Sequence, residues 1–254
     1  MITSSSNQRI RELSALISKH KERKKTGLFT AEGIKLFKET PKELLQDVYV
    51  SESFEKDQER LLDGTPYTVI SDKAFASLCD TKTPQGVLSV IKMPEYKFED
   101  LYPSPDKAFI AVLEDVQDPG NVGTIMRTSE GAGVTGIILS RGCADLFSPK
   151  TIRSTMGSVF RVPFIYTDDV CGCADRLKNE GIKCYAAHLK GTAYFDSPDY
   201  KGGKALFIGN EGNGLTDQLT DKADVLVRIP MEGKLESLNA SVAAGILLYR
   251  MYRS

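Results

Sequence analysis

The chain is poor in histidine, with only His20 and His188 in 254 residues. Its cysteines number five, an odd count, and Cys171 and Cys173 are separated by one residue. Two imidazoles and a few scattered thiols do not build a zinc-type ligand set, so no metal site is expected. Nor do they read as a disulfide framework, and reduced thiols point to the cytoplasm. No apolar run approaches the roughly 18 residues of a membrane span. The first residues, MITSSSNQRIREL, are polar and carry no signal-type hydrophobic region, which again favours a cytoplasmic protein with no membrane partner. An excess of one charge is also missing. Lys and Arg total 33 against 34 Asp and Glu, a net charge of −1, so any nucleic-acid contact has to come from a local patch. Internal repeats and low-complexity tracts are absent. What remains is ordinary globular composition, long enough for one large domain or two small ones.

The local patch is near the N-terminus. Between Arg9 and Lys25 lie seven Lys or Arg and two Glu. Ile10, Leu13, Leu16 and Ile17 have helical spacing, which predicts a helix from Asn7 to Lys19 followed by a basic loop. Such a charge run is usually a solvated face; it gains a phosphate-binding meaning only if the rest of the chain handles RNA. Short strands and helices then alternate up to Ile91, implying an α/β layer structure. Residues 93–107, rich in proline and without a clean period, read as a linker between a domain at 1–92 and a second at 108–254. In the second, FIAVL, GIIL and ALFI are the kind of run buried on both faces of a parallel sheet.

Gly131-Ala-Gly133-Val-Thr-Gly136 matches the G-x-G-x-x-G pattern of dinucleotide sites. Its context is wrong, because it follows a predicted helix and feeds a strand. It reads as a helix-to-strand turn, and a nicotinamide oxidoreductase is disfavoured.

Three stretches carry chemistry. In LEDVQDPGNVGTIMRTSEGAGV a strand ends in an Asp-Pro-Gly-Asn turn, and the following helix carries Asn121 and, two turns in, Arg127, able to fork onto a phosphate. In LFIGNEGNGLTDQL a buried strand runs into a loop with three glycines in six residues, at the strand end where open α/β sheets bind ligands; Glu211 lies in that loop. In IPMEGKLESLNASVAAGILLYRMYR an Ile-Pro-Met turn and a charged loop lead through Ser237 and Asn239 into a helix of small residues. There Gly245 suggests a close approach to another helix or a ligand.

Together DPGNVGTIMRTSEGAGV, GNEGNGL and IPMEGKLESLNASVAAGILLY resemble the three motifs of the SpoU (TrmH-like) RNA ribose methyltransferases of the SPOUT superfamily. More weakly, KERKKTGLFTAEGIKLFKE is similar to the L30e-like substrate-binding domain found with them. The resemblance implies an N-terminal L30e-like α/β domain and a C-terminal SPOUT α/β-knot, a mostly parallel sheet with a deep trefoil knot. It implies S-adenosylmethionine as methyl donor, a ribose 2′-hydroxyl as acceptor, and a homodimer whose donor site and key Arg come from different subunits. Motif position assigns catalysis to Asn121, Arg127, Glu211, Ser237 and Asn239. It assigns donor binding to Gly209, Ile229 and Leu238, with Met231 close by. Arg9, Arg11, Arg23, Lys24 and Lys25 then become RNA-phosphate candidates. Thr124, Ala240 and Arg250 depart from the residues common in the family, away from these positions. A whole N-terminal α/β domain favours ribosomal RNA as substrate; tRNA, or a non-catalytic RNA-binding role, is the alternative.

Overall fold

The computed structural model describes residues 1–253 apart from Ser5 and Asp63. The chain forms two compact units: Met1–Pro94 with Asp145–Phe160, and Glu95–Ala144 with Arg161–Ser254. This division differs from boundaries at 92 and 108. The proline-rich stretch is no free connector, since Leu101 is fully buried in the second unit and Phe98 and Tyr102 pack on the same core. Residues 145–160 leave the C-terminal part of the sequence and pack in the first unit, where the Phe147 and Phe160 rings lie 4.8 and 6.3 Å from that of Phe29.

In the first unit α1 (Gln8–Ser18) begins at Asn7, whose side chain accepts the Arg9 N–H. The segment expected as a basic loop is a second helix, α2 (His20–Thr26), stopped by Gly27 at φ 66°. There follow β1 (Leu28–Glu32), α3 (Ile34–Glu39), β2 (Leu45–Ser51), α4 (Glu52–Gln58), β3 (Thr68–Ile70), α5 (Asp72–Ala76) and β4 (Val87–Lys92). The sheet order is β1-β4-β2-β3, with only β2 and β3 parallel. One core holds Ile10, Leu13 and Leu16 of α1 with Phe75, Leu88 and Val90; another holds Phe37, Val48, Val50 and Phe54.

Arg23 was expected on the RNA-facing surface and is instead buried at 4% exposure. Its guanidinium donates to the Leu16 and Ile17 carbonyls at 2.6 and 2.9 Å and forms an ion pair with Asp145 at 2.6 Å. With these donors taken it fastens α1, α2 and residue 145 together. Arg9, Arg11, Lys24 and Lys25 remain exposed.

The second unit contains β5 (Phe109–Leu113), α6 (Pro119–Gly131) and β6 (Gly136–Ser140). The chain then passes through α7 (Pro149–Thr155) in the first unit. It returns for β7 (Phe164–Thr167), α8 (Val170–Asn179), β8 (Lys183–Ala187), β9 (Ala193–Tyr194), β10 (Lys204–Ile208), α9 (Asp217–Thr220), β11 (Val225–Arg228) and α10 (Ala240–Tyr252). Seven strands in the order β7-β6-β5-β10-β8-β11-β9 pair in parallel throughout. Every residue of β5, β6 and β10 is buried, as the apolar runs predict; each large aliphatic side chain so placed contributes about 1.5–3 kcal/mol. On one face Ile110, Val112 and Phe207 meet Ala174 and Leu177 of α8; α10 packs against β10 and α6. Gly131–Gly136 joins α6 to β6 with Gly133 at φ 74°, a turn rather than a phosphate loop. Among the described residues no helix is long and apolar enough to cross a membrane.

Candidate active site

Parallel strands deliver their following loops to one edge of the sheet. The chain runs from β5 to β6 on one side, while β10 is its neighbour on the other, so the loops after β5 and β10 meet at a topological switch point. After β5, Asp118 caps α6 and accepts the Asn121 N–H at 2.9 Å, as the Asp-Pro-Gly-Asn turn requires. Asn121 is buried, at 7% exposure. Its Nδ2 donates to Glu211 Oε1 at 2.8 Å, and its Oδ1 accepts from Asn239 Nδ2 at 3.0 Å. One hydrogen-bonded line, Glu211–Asn121–Asn239, thus joins all three stretches singled out in the sequence.

Each end of the line is tied down. Glu211 also accepts the Gln117 and Asp118 N–H groups, both at 3.1 Å. Partial desolvation pushes its carboxyl up, but the donors from Asn121, Gln117 and Asp118 outweigh that and hold it below the usual carboxylate range. Through these three bonds Glu211 braces the turn before α6 against the glycine loop. Asn239 caps α10, its Oδ1 accepting from Ser241 N, Val242 N and Ser241 Oγ. The buried Glu114 accepts the Thr216 N–H and hydroxyl at 2.7 and 2.8 Å, fixing the far end of the glycine loop.

Beside this line is a cleft of about 430 Å3, within the roughly 300–1,000 Å3 of small-molecule sites. Gly209, Ile229, Met231 and Leu238, the four positions assigned to donor binding, all line it, as do Glu211 and Ser237. Gly209 has no substitute: a Cβ there would stand 2.2 Å from the Gly214 carbonyl carbon. With Ala240, Ala243 and Leu247 on another wall, part of the lining is small side chains and apolar surface, which fits an adenosine, while Asp217 and Arg228 add charge of both signs. His188 and Lys190 also line it. They follow β8, outside the three motifs, and only the rule that ligands gather at strand ends could have pointed to them. His188 Nδ1 accepts the Lys190 N–H at 3.1 Å.

Arg127 stands apart. It is exposed on α6, is absent from the cleft wall and forms no hydrogen bond or ion pair with another described residue. Arg9, Arg11, Lys24 and Lys25 belong to the first unit.

Comparison with known proteins adds to this geometry. The SpoU rRNA Methylase family model matches residues 108–249, and the MRM3-like substrate binding domain model matches residues 7–89. The chain is 36% identical over 254 residues to the 23S rRNA (guanosine(2553)-2′-O)-methyltransferase RlmP of Bacillus subtilis (strain 168), covering 98% of each chain. A solved RNA 2′-O ribose methyltransferase superposes with a TM-score of 0.86 at 29% identity, over 99% of this chain and 98% of that one. An AdoMet-bound rRNA methyltransferase from Sinorhizobium meliloti superposes with a TM-score of 0.84 at 32% identity, over 99% and 97%.

Proposed function

The chain belongs to the SpoU rRNA methylase family, and from that premise we propose that it acts on ribosomal RNA, as a homodimer, through the residues gathered around the cleft. It is an S-adenosylmethionine-dependent enzyme that transfers a methyl group to a ribose 2′-hydroxyl of RNA. The observation that carries the reading of the site is the Glu211–Asn121–Asn239 line beside a cleft bounded by Gly209, Ile229 and Leu238. The trefoil threading of the family accounts for the loops after β10 and β11 lying side by side.

S-adenosylmethionine, when bound, supplies an electrophilic methyl group on a sulfonium for in-line displacement. The protein has to position a weak nucleophile and remove its proton. Asn239 uses both ends of its amide within the protein, so its role is to hold the entrance of α10 in place. Ser237, exposed on the cleft wall, is the hydroxyl that orients the ribose. A guanidinium keeps its protons at all working pH values, so Arg127 is not a base. It grips the phosphate beside the target ribose, and that phosphate or a nearby carboxylate takes up the proton on its way to solvent. Positioning and electrostatic preorganisation can each supply several kcal/mol.

A homodimer gives Arg127 its place. Val242, Tyr249 and Tyr252 of α10 are 50%, 45% and 58% exposed, on the helix that packs against α6. Gly245 has room for a Cβ within its own subunit, the nearest atom being Thr128 Cγ2 at 3.6 Å, so its small size answers to something outside that subunit. A second copy on this face brings Arg127 of one subunit to the cleft of the other. The first unit, residues 1–94 with 145–160, is the substrate-binding domain, and Arg9, Arg11, Lys24 and Lys25 hold RNA phosphates there with salt-dependent affinity. Mapping 2′-O-methyl groups in RNA from cells lacking the gene tests the substrate. Loss at a ribosomal site is expected; loss only at a tRNA site would reassign it.

A further inference from the structure

Among the described residues only Asp115 and Met156 have positive φ without being glycine, both at 53°. Met156 ends α7, where a left-handed residue is a common stop. Asp115 ends no helix. It follows β5 by two residues, at the edge where the cleft lies, and none of the assigned roles explains it. Left-handed backbone is disfavoured for residues with a Cβ and least so for Asn and Asp. Strain of this kind persists where the surroundings enforce it.

Here the enforcing group is Ser140 at the end of β6. Its hydroxyl accepts the Asp115 N–H at 2.9 Å and donates to Asp115 Oδ1 at 2.6 Å. Gly142 leaves the necessary space, because a Cβ there would fall 2.0 Å from Asp115 Oδ1. Turned in this way, the Asp115 carbonyl accepts Asn210 Nδ2 at 2.7 Å. The Asn210 side-chain oxygen accepts the N–H groups of Gly212 and Asn213 at 2.9 and 3.0 Å, and its backbone exchanges two hydrogen bonds with Gly214. Glu211 lies inside that closed loop, so the loop's shape decides where its carboxylate meets Asn121.

We propose that Asp115 is a positioning residue for methyl transfer: its left-handed backbone, held by Ser140, aims a carbonyl at Asn210 and so sets the glycine loop that walls the donor cleft. This rests on the reading of that cleft as the S-adenosylmethionine site. The bond from Asn210 to the Asp115 carbonyl is the link through which it acts.

The test is a double-mutant cycle read by calorimetric titration of S-adenosylmethionine into the full-length protein. Asp115→Val introduces a β-branched residue that resists positive φ. Asn210→Asp keeps the side-chain oxygen of the turn but removes the donor to Asp115. Each is expected to weaken donor binding about tenfold, and the double variant no more than the worse single one, because both cut the same link. Asp115→Asn, which tolerates the left-handed region and keeps an acceptor for Ser140, should stay within about twofold of wild type. Losses that multiply to about a hundredfold in the double variant, or an Asp115→Val protein that binds as wild type, overturn the proposal. Should Asp115→Val lose its near-ultraviolet circular dichroism, Ser140→Ala replaces it in the cycle with the same expected and contrary outcomes. Failure of the wild-type protein to bind the donor would instead overturn the reading of the cleft.

Discussion

The proposed chemistry rests most heavily on one side chain, Arg127, which is exposed and unengaged by the described residues. Arg127→Lys keeps the charge and loses the planar fork. Turnover is expected to fall about a hundredfold or more while the donor dissociation constant stays within twofold; undiminished methylation by that variant contradicts the assigned role. Glu211 gives a pH dependence of definite sign. Its folded-state pKa is depressed, so its stabilisation of the loop is complete above the ordinary glutamate value of about 4.3 and is lost as pH falls through the lower folded value. Donor binding should hold from neutrality down to the ordinary glutamate value and weaken only below it, and Glu211→Gln should remove that acid limb. An unaltered limb in the variant would assign it elsewhere. That Asn121, Glu211 and Asn239 belong together was legible only through the three motifs that carry them, which the hydrogen-bonded line joins. Arg23 was not: a run of like charges does not show which member turns inward, and its partner Asp145 is 122 positions away.

At the scale of elements, the strands that build the site were readable because apolar runs of four or five residues between turn signals suit a sheet buried on both faces. Helix α2 was hidden by its charge, and the two-residue strand β9 is too short to leave a pattern. The packing of residues 95–107 and 145–160 depends on contacts distant in sequence, which proline content and local period cannot reveal. The junction of β10 with its loop is the element most sensitive to a single methyl group. Gly209→Ala forces Gly214 and Leu215 to move, since a Cβ would lie 2.2 and 2.3 Å from their backbone atoms. A loss of donor affinity of at least about tenfold is expected in titration, with β10 itself intact by circular dichroism. At the other end of β10 the buried Lys204 ammonium donates to the Tyr200 and Met251 carbonyls at 2.9 and 2.7 Å, tying the last turn of α10 to the sheet. Lys204→Met leaves both carbonyls without that donor and should cost about 1–3 kcal/mol in denaturant unfolding; an unchanged midpoint would mean that the tie is dispensable.

For the whole molecule, the dimer can be tested without a structure of it. Arg127→Lys and Asn239→Ala proteins, each inactive alone, are unfolded together and refolded as a mixture. If the Arg of one subunit serves the cleft of the other, half of the dimers regain one of two sites, about a quarter of wild-type activity; no recovery would place each Arg with its own cleft. The measurement that reaches the central claim most directly is transfer of labelled methyl from S-adenosylmethionine to ribosomal RNA, followed by alkaline hydrolysis. Alkali cleaves RNA through the free 2′-hydroxyl, so a methyl group on that oxygen protects the adjoining linkage. Label in alkali-resistant dinucleotides, present with the wild-type protein and lost with Asn121→Ala, is the expected result; label released in mononucleotides, or no transfer at all, would contradict ribose methylation at this cleft.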